Sequence, residues 1–203
     1  MRAQLPVALL AATLVGLILS GIGPRDRLTW WMEVAPVLIA VPILLATYRS
    51  FRFTDLAYLC MAMHAAILML GGHYTYAETP LGFWLQDLLD LSRNPYDRIG
   101  HLAQGFFPAL IAREILLRLS PLREGRWLFF LVVCACLALS ASYELIEWTA
   151  AMALGQGAEQ FLGTQGDVWD TQWDMFLALI GAVSSLLLLS GLHRRVLGKL
   201  RKV

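Results

Sequence analysis

Apolar runs recur along the whole chain, each close to the length one α-helix needs to cross a bilayer. VALLAATLVGLILS, APVLIAVPILLAT, LFFLVVCACLALSAS and FLALIGAVSSLLLLSGL are four of them. A spanning helix takes roughly 20 mostly apolar residues, because every backbone N–H and C=O must find its partner inside the segment. Six spans can be marked, at about 5–22, 32–48, 55–72, 98–119, 127–150 and 174–192. The predicted fold is all-α: a polytopic transmembrane helix bundle forming a single integral membrane domain over 1–203. Charged residues make up 15% of the chain, against about 25% in soluble domains, which sets this class apart from a soluble fold. The first span is read as uncleaved: its plausible exit, GIG, runs straight into Pro24. A formal net charge of +1 excludes a nucleic-acid partner and leaves the lipid bilayer as the principal one.

Orientation follows from Lys and Arg. With the N-terminus inside, Arg2, Arg49, Arg52, Arg113, Arg118, Arg123, Arg126, Arg194, Arg195, Lys199, Arg201 and Lys202 are cytoplasmic. Only Arg25, Arg27, Arg93 and Arg98 face outward, 4 of 16, so the expected topology is N-in and C-in. Trp30, Trp31, Trp127, Trp148, Trp169 and Trp173 sit at or near span ends and Trp84 in a loop, where interfacial anchors belong. Cys60, Cys134 and Cys136 all fall inside spans and read as buried apolar residues; the last two point in different directions on one helix. No internal repeat is evident.

That topology gathers eight ionisable side chains at the outer ends of the spans: His73, Asp97, His101, Glu144, Glu147, Asp167, Asp170 and Asp174. Asp97 and His101 are four apart on one helix face, Glu144 and Glu147 three apart with Ser140 extending their stripe, and the three Asp of 167–174 follow i, i+3, i+7. Crowded carboxylates repel and resist desolvation, so protons, Arg93, Arg98 or a divalent cation must offset them. His with carboxylates suits zinc, manganese or iron, and carboxylates alone suit calcium or magnesium. The expected metal ligands are Asp97, His101, Glu144, Asp170, Asp174 and His73; Glu147, Glu144 and His101 are the expected catalytic set, with Glu147 the general base.

Plainer roles compete. Asn94-Pro95 reads as an N-cap and first helical residue with Asp97 satisfying the helix end, and Thr171 to Asp174 resembles a capping box. His64, alone in mid-span, reads as structural, and His193 belongs to the basic flank. The segment GFWLQDLLDL forms a short amphipathic helix in the interface plane, either a lid over the cluster or a filler between helices. The Gly-rich connection GQGAEQFLGTQGDVWD can bring backbone groups close to the cluster.

GGHYTYAETPLG, NPYDRIGHLAQGF, SYELIEW and GDVWDTQWDMFLALIGA together resemble the YjdF-like bacterial inner membrane protein family, over about residues 30 to 190. The resemblance implies a multi-pass protein of the bacterial inner (plasma) membrane and implies no reaction. A shorter pattern is similar to VanZ-like membrane proteins: Asp97/His101, Glu144/Glu147, and Asp167/Asp170/Asp174 with Gly181. That similarity points to the cell envelope.

Three functions remain open on the sequence. The leading one is a metal-assisted membrane enzyme acting at the outer leaflet on a lipid or envelope-precursor substrate. It carries no zincin, P-loop or nucleophile-elbow motif. A small transporter or ion-binding protein needs a polar route inward through His64, Gln104, Arg113 and Glu114, and a homo-oligomer. A structural or assembly protein needs paired carboxylates and no chemistry.

Overall fold

The structure, a computed structural model, describes residues 4–154, with the side chain of Leu154 excepted, and 163–200. Among these are seven α-helices and no strand: α1 (Gln4–Ser20), α2 (Arg27–Thr47), α3 (Asp55–Tyr74), α4 (Pro80–Leu88), α5 (Tyr96–Leu119), α6 (Arg126–Leu154) and α7 (Asp170–Leu200). A 3-10 turn, Tyr76–Glu78, links α3 to α4. Every expected span lies on one of these helices. Four of them, α2, α3, α6 and α7, are long and apolar enough to cross a membrane; α1 is shorter, and α5 is too polar to qualify by composition.

α3 packs against α1, α2 and α5, while α5 packs against α3, α6 and α7. The bundle is thus two groups of three helices joined along α3 and α5. Trp30, Val34 and Val37 of α2 meet Ala65 and Met69 of α3 in one core. Ala109 of α5, Leu128, Val132 and Cys136 of α6, and Ala182 and Leu186 of α7 form another. Large apolar side chains outside these cores, such as Ile39, Ile43, Leu187 and Leu188, project outward, the surface a bilayer covers.

The α5–α7 crossing is the closest. A Cβ at Gly105 would overlap the Ala178 carbonyl, and one at Gly181 would overlap the Leu102 carbonyl. Small residues let two backbones approach this way in membranes, where dispersion and not water expulsion draws helices together.

Local chemistry sets the helix ends. Asp26 caps α2 by accepting a 2.6 Å hydrogen bond from the Thr29 N–H, which holds its carboxyl below the usual carboxylate range. Thr54 caps α3 through the Ala57 N–H. At the start of α5 the Tyr96 N–H donates to Asn94 Oδ1 at 3.0 Å. Asn94 therefore serves the helix end, one residue outside the expected position, and Asp97 is released from capping. The capping-box reading of Thr171 and Asp174 fails too: α7 begins at Asp170, and the Asp174 side chain turns inward.

Three more readings change. Trp30 is buried, its Nε1–H donating to Ser20 Oγ at 3.1 Å, so it locks α1 to α2 instead of anchoring at an interface. Cys134 is exposed on the outside of α6 while Cys136 is in the core. α4 leaves Leu81, Phe83, Trp84 and Leu88 exposed; its apolar face points away from the bundle, as an interfacial helix requires, and not over the cluster. Of the Gly-rich connection, residues 155–162 lie outside the described residues.

Candidate functional site

The six helices that run the length of the bundle alternate in direction, which brings the residues of opposite sequence ends together. Asp97 and His101 of α5, Glu144 and Glu147 of α6, and Asp170 and Asp174 of α7 are all buried at one end, hereafter the acid-rich end. Their spacing explains the convergence. Asp97 and His101 lie one turn apart on the face of α5 that meets α7 at Gly105. Ser140, Glu144 and Glu147 line the inward face of α6, all buried.

His101 is the hub. Its Nδ1 lies 3.3 Å from Gln104 Oε1 and 3.7 Å from Glu144 Oε1. Its Nε2 lies 3.5 Å from Asp97 Oδ1 and 3.8 Å from Asp174 Oδ2. The Nε2 separations exceed a hydrogen bond, which closes to about 2.7–3.2 Å. The shorter is close to that of two ligands sharing one ion: donors bound at about 2.1 Å with tetrahedral angles stand about 3.4 Å apart. One donor atom from each of Asp97, His101 and Asp174 lies within 4.8 Å of the others, and the same holds for His101, Glu144 and Glu147. Asp97 Oδ2, Glu144 Oε1, Asp174 Oδ1 and Ser140 Oγ are buried without a hydrogen-bond partner.

Arg93 and Arg98 close the solvent side. Arg93 donates to Asp170 Oδ1 at 2.6 Å and to the Gly163 carbonyl at 3.1 Å, and reaches Asp97 Oδ2 at 3.6 Å. Arg98 donates to Asp167 Oδ2 at 2.9 Å. Asp167 also accepts from the Trp169 N–H at 2.9 Å, shaping the turn into α7. Asp170, expected as a ligand, is therefore engaged by Arg93. His73, also expected as a ligand, stands apart: it belongs to neither donor group, its Nδ1 lies 2.9 Å from the Ser20 carbonyl and its ring meets Tyr74 edge-on.

Three residues of the site escaped the sequence reading. Glu33, buried on α2, accepts a 3.1 Å hydrogen bond from the Tyr143 hydroxyl of α6. Tyr76 stands beside the same carboxyl, and burial pushes its phenol up. The Tyr76 ring fits where Gly71 and Gly100 lack side chains; a Cβ on either would collide with it. Thr75 turns the chain into this position at φ 60, an unusual value for a β-branched residue. A lone acid behind two tryptophans gives no periodic signal; the Gly71-Gly72 pair was the readable clue that something bulky packs there. Glu33, Tyr76, Tyr143, Glu147 and His101 border a cavity of about 20 Å³, large enough for one water or one ion.

A second polar cluster occupies the opposite, Arg-rich end. Glu114 is fully buried and accepts from the Thr54 N–H at 3.0 Å, Thr54 Oγ1 at 2.7 Å, Arg118 at 2.7 Å and His193 Nε2 at 3.0 Å. Arg113 donates to His193 Nδ1 at 2.7 Å and to Glu124 Oε1 at 2.7 Å. An Nδ1 that accepts from arginine leaves the proton on Nε2, so this imidazole is neutral. His193, read as part of the basic flank, is in fact a fully buried bridge.

Residues 5–195 match the family described as "Predicted membrane protein (DUF2238)". The chain is 56% identical over 188 residues to the inner membrane protein YjdF of Escherichia coli (strain K12), covering 93% of this chain and 90% of the relative. No solved structure matches it. The family read from the four motifs is thereby borne out, as is the inner-membrane location: the chain belongs to the DUF2238 family of membrane proteins.

Proposed function

We propose that the acid-rich end faces outward and holds a divalent metal ion, with which the protein hydrolyses or transfers a group on a lipid or cell-envelope substrate at the outer leaflet. The observation that carries this reading is the geometry at His101 Nε2, which stands 3.5 and 3.8 Å from two carboxylates instead of in contact with either. With Nδ1–H directed at Gln104 Oε1, Nε2 presents a lone pair to Asp97 and Asp174, an arrangement that repels unless a cation lies between them. A metal-bound histidine commonly anchors its other N–H on a side chain in this way. One imidazole with two carboxylates suits zinc or manganese better than magnesium.

When bound, the metal would polarise the scissile group and acidify a water. Glu147 borders the 20 Å³ cavity beside His101 and would take that water's proton. Glu33 is held by Tyr143 and so is occupied as an acceptor. The lysine and arginine asymmetry supports the outward orientation. Against transport stands the layer between the two polar clusters, where Ala109, Leu110, Val132 and Ala182 are buried and apolar.

Metal content of the detergent-purified protein, measured by mass spectrometry beside His101→Ala and Asp174→Asn, tests the reading. One equivalent of metal in the wild type, lost in both folded variants, is expected. A metal-free wild type after incubation with zinc and manganese would overturn it.

A further inference from the structure

We propose that the apolar cavity bounded by α1, α2, α3 and α5 receives an ester-linked acyl chain of a bilayer phospholipid. The inference supplies the hydrophobic half of a substrate for the site above, and only its headgroup end rests on that reading. The cavity holds about 390 Å³, within the roughly 300–1,000 Å³ of small-molecule sites. Val7 and Leu10 of α1, Val41 and Leu45 of α2, and Ala62 of α3 are among its walls.

α1 and α2 each pack on α3, and the space between them is the cavity's mouth. Val7 and Leu45 at that mouth are 61% and 57% exposed, so in the membrane the opening faces hydrocarbon. Most of the wall is hydrocarbon, with the Tyr48, Tyr58 and His64 polar atoms the exceptions. A chain from the surrounding lipid can enter sideways, with no polar barrier to cross.

Two details select an acyl ester. His64 lines the cavity, and its Nε2 is buried without a hydrogen-bond partner. Its ring is held by stacking on Phe107, with centroids 6.1 Å apart. A purely hydrocarbon chain, such as a polyprenyl tail, leaves this nitrogen unsatisfied; an ester carbonyl accepts from it. Leu68 borders both this cavity and the small polar one beside His101. His64 lies one helical turn inward of Leu68, about 6 Å. With the ester at His64, a headgroup directed past Leu68 would approach Glu147 and His101, and the chain would run toward the opposite end.

The test uses the full chain in phosphatidylglycerol vesicles doped with phosphatidylglycerol carrying a photoreactive diazirine on one acyl chain, with adducts mapped by peptide mass spectrometry. Adducts are expected on the segments 40–45 and 61–65. Filling the cavity with Ala40→Phe and Ala62→Phe is expected to remove them, while adducts on the outward Leu187–Leu188 and the metal content persist. His64→Leu, which cannot donate, is expected to lower cavity labelling by about fivefold, the effect of one lost hydrogen bond. Wild-type adducts confined to outward-facing positions would overturn the inference. So would stronger cavity labelling by a diazirine-bearing polyprenyl phosphate than by the phospholipid. Because metal content is read separately, loss of the metal-centre reading leaves the cavity result standing, and the reverse.

Discussion

At the Arg-rich end, one buried carboxylate, Glu114, is reached by four donors, and its partner His193 is itself held by Arg113. At the acid-rich end, one imidazole is reached by Asp97, Asp174 and Glu144, with Glu147 and Glu33 around the adjoining cavity. Donors exceed acceptors in the first cluster and acceptors exceed donors in the second. No polar atom of Glu114, Glu124, Arg113 or His193 is buried without a partner among the described residues, whereas Asp97, Glu144 and Asp174 each carry one. Buried ion pairs are tolerated when every lone pair and proton is used. A closed network of that kind holds helices in register. An open one, with negative charge in excess, is the kind of network the proposed metal ion would complete.

The comparison can be broken, and the largest effect belongs to the closed cluster. Glu114→Gln keeps the side chain's shape but leaves Arg118 and the Arg113–His193 pair facing a neutral group. Removing one partner of a buried network costs about 3–5 kcal/mol, so the variant is expected to melt far below wild type in detergent or fail to accumulate. An unchanged melting temperature would show that the closed cluster does not hold the bundle.

Next comes metal at the open cluster. Zinc or manganese at 100 times its dissociation constant should stabilise the wild type by about 2.7 kcal/mol, seen as a higher thermal midpoint. Asp174→Asn should abolish that gain. Without metal, the same substitution removes one of the crowded negative charges and should leave the midpoint equal or higher. A metal-free midpoint that falls as far as that of Glu114→Gln would make the two clusters alike.

A smaller effect should follow from the helix crossing that sets the distance between His101 and Asp174. Gly105→Ala puts a methyl group against the Ala178 carbonyl. The helices must separate, at about 1–3 kcal/mol, and metal affinity should fall with stability although no ligand has changed. Retained affinity in the destabilised variant would uncouple the crossing from the site.

The smallest expected effect lies outside both clusters and calibrates them. Asp26→Ala should cost about 1 kcal/mol near pH 7. The native carboxyl of Asp26 titrates below its unfolded value, so its contribution is complete above that unfolded value. It fades as pH falls through the native one, and wild type and variant melts should converge in acid. A constant gap down to low pH would assign the effect to packing instead of the cap.

Much of the fold was legible because bilayer-spanning helices announce themselves by length. The Asp97–His101 and Glu144–Glu147 spacings placed those side chains on shared faces, and alternation of the spans put the faces at one end. What stayed hidden required contacts between distant segments. Glu33 pairs with Tyr143, 110 residues away, and Arg113 with His193, 80 residues away. His193 sits among basic residues in sequence, and only the long course of α7 carries it back to the bundle interior. His73 misled for the converse reason: it shares the depth of the cluster but sits on the part of α3 that faces α1. Position along the bundle could be read from the chain, but the direction of a side chain around its helix axis could not where no second polar residue marked the face.

The tie between Glu114 and His193 also has a consequence in time. Translation at about 5–20 residues per second delivers His193 some 4–16 s after Glu114, since the two are 79 residues apart. Through that interval Arg113 and Glu114 belong to the most polar of the long helices while the imidazole that will join them has yet to be made. Thr54 and Arg118 are at hand to hold the carboxylate, but nothing yet completes the set. The newly made α5 is therefore the segment most dependent on whatever shelters nascent helices before release into lipid, and arrival of the last helix is what lets the bundle close.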